Sequence, residues 1–414
     1  MKAGQLEARI LILVTLALVA FGLVMVFSAT SAAAAIGDGD PGYYLKRQGI
    51  YALAGLALMI GLSRLDFRRL REVAPALVIL SLVLCLAVLV FAEPVNGARR
   101  WLTFGPATFQ PSELAKLTVG IWAAAYLARR KPPRTLGELA RPFGLLVGLF
   151  CLLLLAEPDL GTTLSLLVLL AAVLLVSGVP LRTLAAGGAL VALGTLLAIW
   201  LEPYRRARFL SFVDPWSDAD GTGFQTVQAM ISLGSGGLLG NGLGESVGKV
   251  NYLPEAHTDM IFAIVGEELG LVGVAAVIGA YALFAFTGLR VALACRDPFG
   301  KRLAVGVTAL VCGQAAINLS AVLGLAPLTG IPLPFVSYGG SNLIVQLTAV
   351  GILLNIAAGG VRARSAVSDR GRRDGGSRTA RARDRGRATR AGRRGDVRRL
   401  APSLRGTARS RGGV

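Results

Sequence analysis

The only histidine of the chain, His257, stands between Glu255 and Asp259 in the stretch YLPEAHTDMIFAIVGEELG, residues 252–270. The stretch then enters an apolar run that carries Glu267 and Glu268. A carboxylate at the mouth of an apolar helix is partly withdrawn from water, which raises its pKa toward the working range of a general base. Asp259 fits that description and equally fits a plain helix cap; both readings stand on the residues alone. His257 reads as a hydrogen-bonding partner that orients an acid sooner than as a catalyst. Glu267 and Glu268 follow about 12–14 Å further along a helix, and inside a bilayer they must face protein or a wet cavity.

Other scarce polar groups sit in similar places. In SELAKL, Glu113 and Lys116 are three residues apart and share one helix face, as a bundle-stabilising ion pair or as part of a functional cavity. Asp159 lies at the same expected membrane level, in the four-residue turn EPDL. Intramembrane acids are costly and mark functional sites by default. In EPYRRARFLSF, Arg205, Arg206 and Arg208 form a basic cluster that could hold a diphosphate headgroup or simply anchor lipid phosphates. GSGGLLGNGLGES, residues 234–246, is dense in glycine and permits close backbone approach to a ligand, but no GK[ST] follows to make a phosphate-binding Walker loop. In PLPFVSYGGSN, Pro332 and Pro334 break regular structure, and Ser337, Ser341 and nearby amides could bind an anion at a helix start or form a re-entrant turn.

The elements that position these groups follow from hydropathy. The 414-residue chain is 54% hydrophobic with a mean hydropathy of +0.63. It repeats apolar runs of about 15–25 residues, the length of a bilayer crossing. Ten segments are expected, at roughly 10–28, 48–65, 73–92, 114–128, 143–156, 160–177, 184–201, 260–289, 303–325 and 343–358. The first reads as a retained helix, because no clear cleavage site follows it. The expected fold is therefore an all-α polytopic membrane protein with ten transmembrane helices. Keeping 143–156 and 160–177 as separate spans leaves both termini cytoplasmic and puts Arg290, Arg296, Lys301 and Arg302 inside, as the positive-inside rule requires. Every loop with unusual chemistry then falls outside, including one large extracytoplasmic loop, about 202–259, between helices 7 and 8.

The net charge of +19 resides largely in the segment from Val361 to Val414, which holds 18 arginines and 4 aspartates. That composition cannot bury enough apolar surface to offset its ordering entropy, so residues 361–414 are expected to be a disordered, Arg-rich cytoplasmic tail behind a membrane domain at 1–360. The tail suits contact with anionic membrane lipids. No aromatic is interleaved with the arginines, and no nucleic-acid partner is expected. Cys85, Cys151, Cys295 and Cys312 have no metal-ligand spacing and read as packing residues.

NGARRWL, FQPSELAKL, EPDLGTT, YLPEAHTDMIFAIVGEELG and PLPFVSYGGS, in this order, resemble the SEDS family of cell-shape, division and sporulation proteins over roughly residues 10–360. PEAHTD followed by GEELG is more similar to its division branch than to its elongation branch. The resemblance implies a peptidoglycan glycosyltransferase that polymerises lipid II into a growing glycan strand at the outer membrane face. It further implies a class B penicillin-binding protein (transpeptidase) and other divisome proteins as partners, and a place in the bacterial cytoplasmic membrane at the division septum. Carried over by motif, Asp259 matches the family's essential carboxylate and Trp101 its functional tryptophan, while Glu113, Lys116 and Asp159 match cavity-lining residues. Arg100, Lys116, Arg205, Arg206 and Lys249 become candidates to stabilise a departing polyprenyl diphosphate, with a divalent cation such as Mg2+ as a conceivable aid and no cofactor otherwise implied. An elongation-branch polymerase, a lipid II flippase using the intramembrane acids as a polar path, and a non-catalytic scaffold for a penicillin-binding protein are the rival readings.

Overall fold

The computed structural model describes residues 4–36, 40–94, 98–105, 107–249 and 256–359. The expectations for the tail at 361–414 and for Glu255 therefore lie outside the described residues. The long helices fall on the apolar stretches: α1 Gln5–Ile36, α2 Tyr43–Arg64, α3 Leu70–Phe91, α4 Pro111–Arg129, α5 Leu145–Ala156, α6 Leu160–Val176 and α7 Leu181–Leu201. After the long connection come α10 Ile261–Ala294, α11 Pro298–Val322 and α12 Gly340–Gly359. Among the described residues seven apolar helices, two of them continuous with a preceding turn, are long and apolar enough to cross a membrane, and α6 is a shorter apolar helix. This is the make-up of a multi-pass membrane protein.

The helix ends follow local sequence. Pro111 and Pro298 occupy first turns, where the missing N–H costs nothing. Asp159 caps α6 by accepting from Thr162 N, and Asp297 caps α11 by accepting from Phe299 N and Gly300 N. The EPDL turn separates α5 from α6.

Two features add detail to the expected all-α fold and its large loop. The chain is not purely helical: Leu102–Phe104 (β1) and Ala107–Phe109 (β2) form an antiparallel hairpin that pairs Leu102 with Phe109 and Thr103 with Thr108. The region 202–259 is not a plain loop either. It contains α8 Pro203–Val213, a single 3₁₀ turn Pro215–Asp218 and α9 Phe224–Ser235, whose Thr226, Val227, Ala229 and Ser232 are buried.

α11 sits centrally, packed against α10, α6 and α4. α12 is also largely enclosed, and Gly55 of α2 and Gly351 of α12 bring these two helices close: a Cβ on Gly351 would lie 2.8 Å from Met59 Cα. By contrast α7 buries only Thr183 and presents Leu190, Leu193, Leu197 and Trp200 outward.

Candidate active site

Asp259 is the second residue before α10, in a turn over residues 256–260, and is 9% exposed. Its backbone is held from the facing helix: Asn318 Nδ2 of α11 donates to Asp259 O at 2.7 Å and to Ile331 O at 2.8 Å. Its Oδ1 accepts from Thr258 Oγ1 at 3.2 Å. Gly330, with φ +72°, passes in front of the carboxylate, where an added Cβ would lie 4.0 Å from Oδ2. The acid thus stands at the rim of the bundle with its main chain fixed and its side chain turned toward the 328–336 segment.

One helical turn before Asn318, Gln314 joins this support to a buried polar network. Lys116 Nζ donates to Glu113 Oε1 at 2.9 Å and to Gln314 Oε1 at 2.8 Å. Asn342 Nδ2 donates to Glu113 Oε2 at 2.7 Å, Gln346 Nε2 to Gln314 Oε1 at 3.0 Å, and Gln314 Nε2 to Pro332 O at 2.9 Å. Glu113 and Lys116 are at most 1% exposed. A buried ion pair endures only where such additional hydrogen bonds satisfy the remaining lone pairs and protons, and here the Gln314 and Asn342 amides supply them.

Asp159 joins the same region. Its carboxylate accepts from Thr162 N at 2.9 Å, Thr162 Oγ1 at 2.7 Å and Gln110 Nε2 at 3.1 Å. Gln110 N donates to Ser341 Oγ at 3.0 Å, and that hydroxyl donates to Thr108 O of the hairpin. Arg100 reaches the EPDL turn by donating to Glu157 O at 3.0 Å and to Pro158 O. Trp101, half-buried, leads from Arg100 into the hairpin. The starts of α4, α6, α10 and α12 and the last turns of α11 therefore meet at one end of the bundle. Helix N-termini carry partial positive charge, and Glu113, Asp159 and Asp259 stand in or just before the first turns of three of them.

Several predicted residues stand elsewhere or are already engaged. Lys249 Nζ, expected as a diphosphate ligand, is buried against Glu268 Oε1 at 3.0 Å and Gly244 O at 2.6 Å. Ser337 Oγ accepts from Leu333 N at 2.8 Å and so holds the prolyl turn together. His257 packs between Tyr44 and Tyr338, with ring centroids at 4.6 and 5.5 Å, and its carbonyl accepts from Tyr338 N at 2.9 Å. Arg206 is exposed on α8; only the backbone of Arg205 and Arg208 is described. Among the described residues no group of three or more His, Cys, Asp or Glu side chains is placed to hold a metal ion.

The residues that complete the site, Gln110, Gln314, Asn318, Asn342 and Gln346, escaped the sequence reading. The sequence does carry a signal for them, since each is a polar amide within or beside an apolar run.

A family model described as cell cycle protein, covering FtsW, RodA and SpoVE, matches residues 8–360. The protein named probable peptidoglycan glycosyltransferase FtsW of Geobacter metallireducens is 40% identical over 351 residues, spanning 84% of this chain and 94% of its own. Its namesake in Halomonas elongata is 40% identical over 355 residues, spanning 84% and 89%. Among solved structures, a chain of a peptidoglycan synthase complex matches with a TM-score of 0.71 at 36% identity, over 84% of this chain and 97% of that one. Thermus thermophilus rod shape determining protein RodA matches with a TM-score of 0.63 at 32% identity, over 84% and 95%. Matched along nearly the whole membrane region and at this identity, the chain belongs to the FtsW/RodA/SpoVE family of cell cycle proteins.

Proposed function

We propose that this protein is a peptidoglycan glycosyltransferase that polymerises lipid II at the outer face of the cytoplasmic membrane for septal wall synthesis. The observation that carries the reading is Asp259: a carboxylate nearly buried at the head of α10, its main chain pinned by Asn318, beside a region where four helix N-termini meet. The names of the relatives and the matched synthase complex support the same activity.

In the proposed step Asp259 takes the proton from the C4 hydroxyl of the GlcNAc of incoming lipid II. The freed oxygen attacks the anomeric carbon of the MurNAc at the end of the growing strand, the bond to the diphosphate breaks, and polyprenyl diphosphate leaves with the electron pair. An α-linked donor and a β-linked product require one inversion and no covalent enzyme intermediate. Negative charge grows on the departing diphosphate, so nearby cations lower the barrier. Arg100, at the edge of the site, is the best-placed described cation, with Arg205 and Arg206 as further candidates; Lys116 and Lys249 hold their own carboxylates.

The reading includes ten spans with both termini cytoplasmic, substrate-side residues Trp101, Glu113, Lys116, Asp159, His257, Ser337 and Ser341, and a class B penicillin-binding protein as partner. A flippase would need a polar path through the bundle. The hydrogen bonds of Glu113, Lys116 and Asp159 close on Gln314, Asn342, Gln110 and Thr162, an arrangement that favours a fixed site.

The test is polymer formation from lipid II by the purified protein with its cognate penicillin-binding partner, for wild type and Asp259→Asn. Polymer from wild type and none from a folded, partner-binding Asp259→Asn protein is the expected result. Polymer from both would remove Asp259 from the role of base.

A further inference from the structure

α10 is interrupted. Gly270 has φ 62° and ψ −160°, a conformation open to glycine alone, and the helix loses its own hydrogen bonds there. The glycine-dense segment after α9 takes them over. Asn241 N donates to Glu267 O and Gly242 N to Glu268 O, both at 3.0 Å, while Leu271 N donates to Gly237 O at 3.0 Å and Val272 N to Leu238 O at 3.3 Å. A Cβ on Gly236 would collide with the carbonyl oxygen of Gly266, and one on Gly240 with that of Glu268. The glycines serve this backbone-to-backbone docking.

The two glutamates of the same break grip the returning limb of the segment. Glu267 accepts from Ser246 Oγ at 2.6 Å, Val247 N at 2.8 Å and Gly248 N at 3.2 Å. Glu268 accepts from Lys249 Nζ at 3.0 Å and from Ser28 Oγ of α1 at 2.7 Å. Both carboxylates are at most 3% exposed and Lys249 is 5% exposed. The limb they hold is followed, seven positions after Lys249, by Ala256 and the turn that carries Asp259; fully extended, that stretch spans at most about 25 Å. The helix that starts two residues after Asp259 thus anchors, about 12 Å further on, the chain that leads into Asp259.

We propose that Glu267 and Glu268, with Lys249, are positioning residues: a two-armed clamp that fixes residues 246–249 and so sets the approach of the 256–259 turn for catalysis. This rests on the reading of Asp259 as the base. Both glutamates are buried and spent on the chain's own groups, so the clamp acts on turnover and leaves substrate affinity alone.

The experiment compares wild type, Glu268→Gln, Lys249→Met and the double variant, as full chains with the penicillin-binding partner. Polymerisation kinetics on lipid II, thermal unfolding and amide hydrogen exchange over residues 237–259 are measured together. Expected are a kcat at least tenfold lower with KM within twofold in each single variant, and at least tenfold faster exchange at Val247 and Gly248. In the double variant, which leaves no stranded charge, thermal stability returns toward wild type while kcat and exchange do not. Recovery of kcat together with stability would make the pair merely structural and overturn the proposal, as would a change confined to KM or unchanged exchange. Absence of polymer from wild type would instead strike the glycosyltransferase reading, and the exchange measurement would still report whether the clamp holds the limb.

Discussion

The Asn318 side-chain amide donates to the main-chain carbonyl of Asp259 at 2.7 Å, and the same nitrogen donates to Ile331 O at 2.8 Å. One residue of α11 therefore ties the segment before α10 to the prolyl segment before α12. Its neighbour one turn earlier, Gln314, ties Lys116 to Pro332 in the same manner. The candidate base is held by helix α11 as much as by the helix it precedes.

Replacing Asn318 by Leu removes both bonds and leaves two carbonyls without a donor. Each orphaned buried acceptor costs about 1–3 kcal/mol. Thermal unfolding of the purified protein is expected to show a destabilisation of about 2–6 kcal/mol for the two acceptors together, with polymerisation falling at least tenfold. Unimpaired polymerisation would mean that Asp259 is positioned by other contacts.

Lys116→Met strands the Glu113 carboxylate in the bundle, a loss of about 3–5 kcal/mol for a broken buried pair. The Glu113→Gln/Lys116→Met double variant removes both charges and is expected to unfold at a higher temperature than Lys116→Met alone. A double variant less stable than the single one would show that the network's worth is not electrostatic pairing.

Glu157, in the turn between α5 and α6, is fully buried and faces the Cys85 thiol; burial, reinforced by the neighbouring Asp159, pushes its pKa up to about 8. The folded protein keeps this proton while the unfolded chain, titrating near the ordinary carboxylate value, has lost it. Stability is therefore greatest at acid pH with respect to this group, falls as pH rises from about 4.5 to about 8 by up to about 1.4 kcal/mol per pH unit, and then levels off. Glu157→Gln should flatten that slope, which thermal unfolding between pH 5 and 9 on both proteins will read.

Gly270→Ala forces a Cβ into a backbone conformation reserved for glycine and against Gly240 N. Strain alone amounts to about 1–3 kcal/mol, and the docking of residues 237–242 is lost with it. The variant is expected to give a poor yield of monodisperse protein, whereas Gly194→Ala on α7, with open space around it, should behave as wild type. Equal yields would remove the helix break from the determinants of the fold.

Hydropathy is a local property, and for that reason the apolar segments, the separation of α5 from α6 at EPDL and the position of Asp259 at a helix mouth were legible in the amino-acid sequence. The motifs likewise carried the family. What the sequence left open is the pairing of polar groups remote along the chain: Glu113 with Asn342 across 229 positions, Ser28 with Glu268 across 240. No periodicity encodes such partners, because they are chosen by which helices pack together. Lys249 illustrates the difference. Alone it is a cation on an outer loop, suited to a diphosphate; once α10 breaks at Gly270 and the glycine segment folds into the gap, its ammonium is buried against Glu268. Residue chemistry fixed what each group can do, and tertiary packing decided which of them are paired with one another.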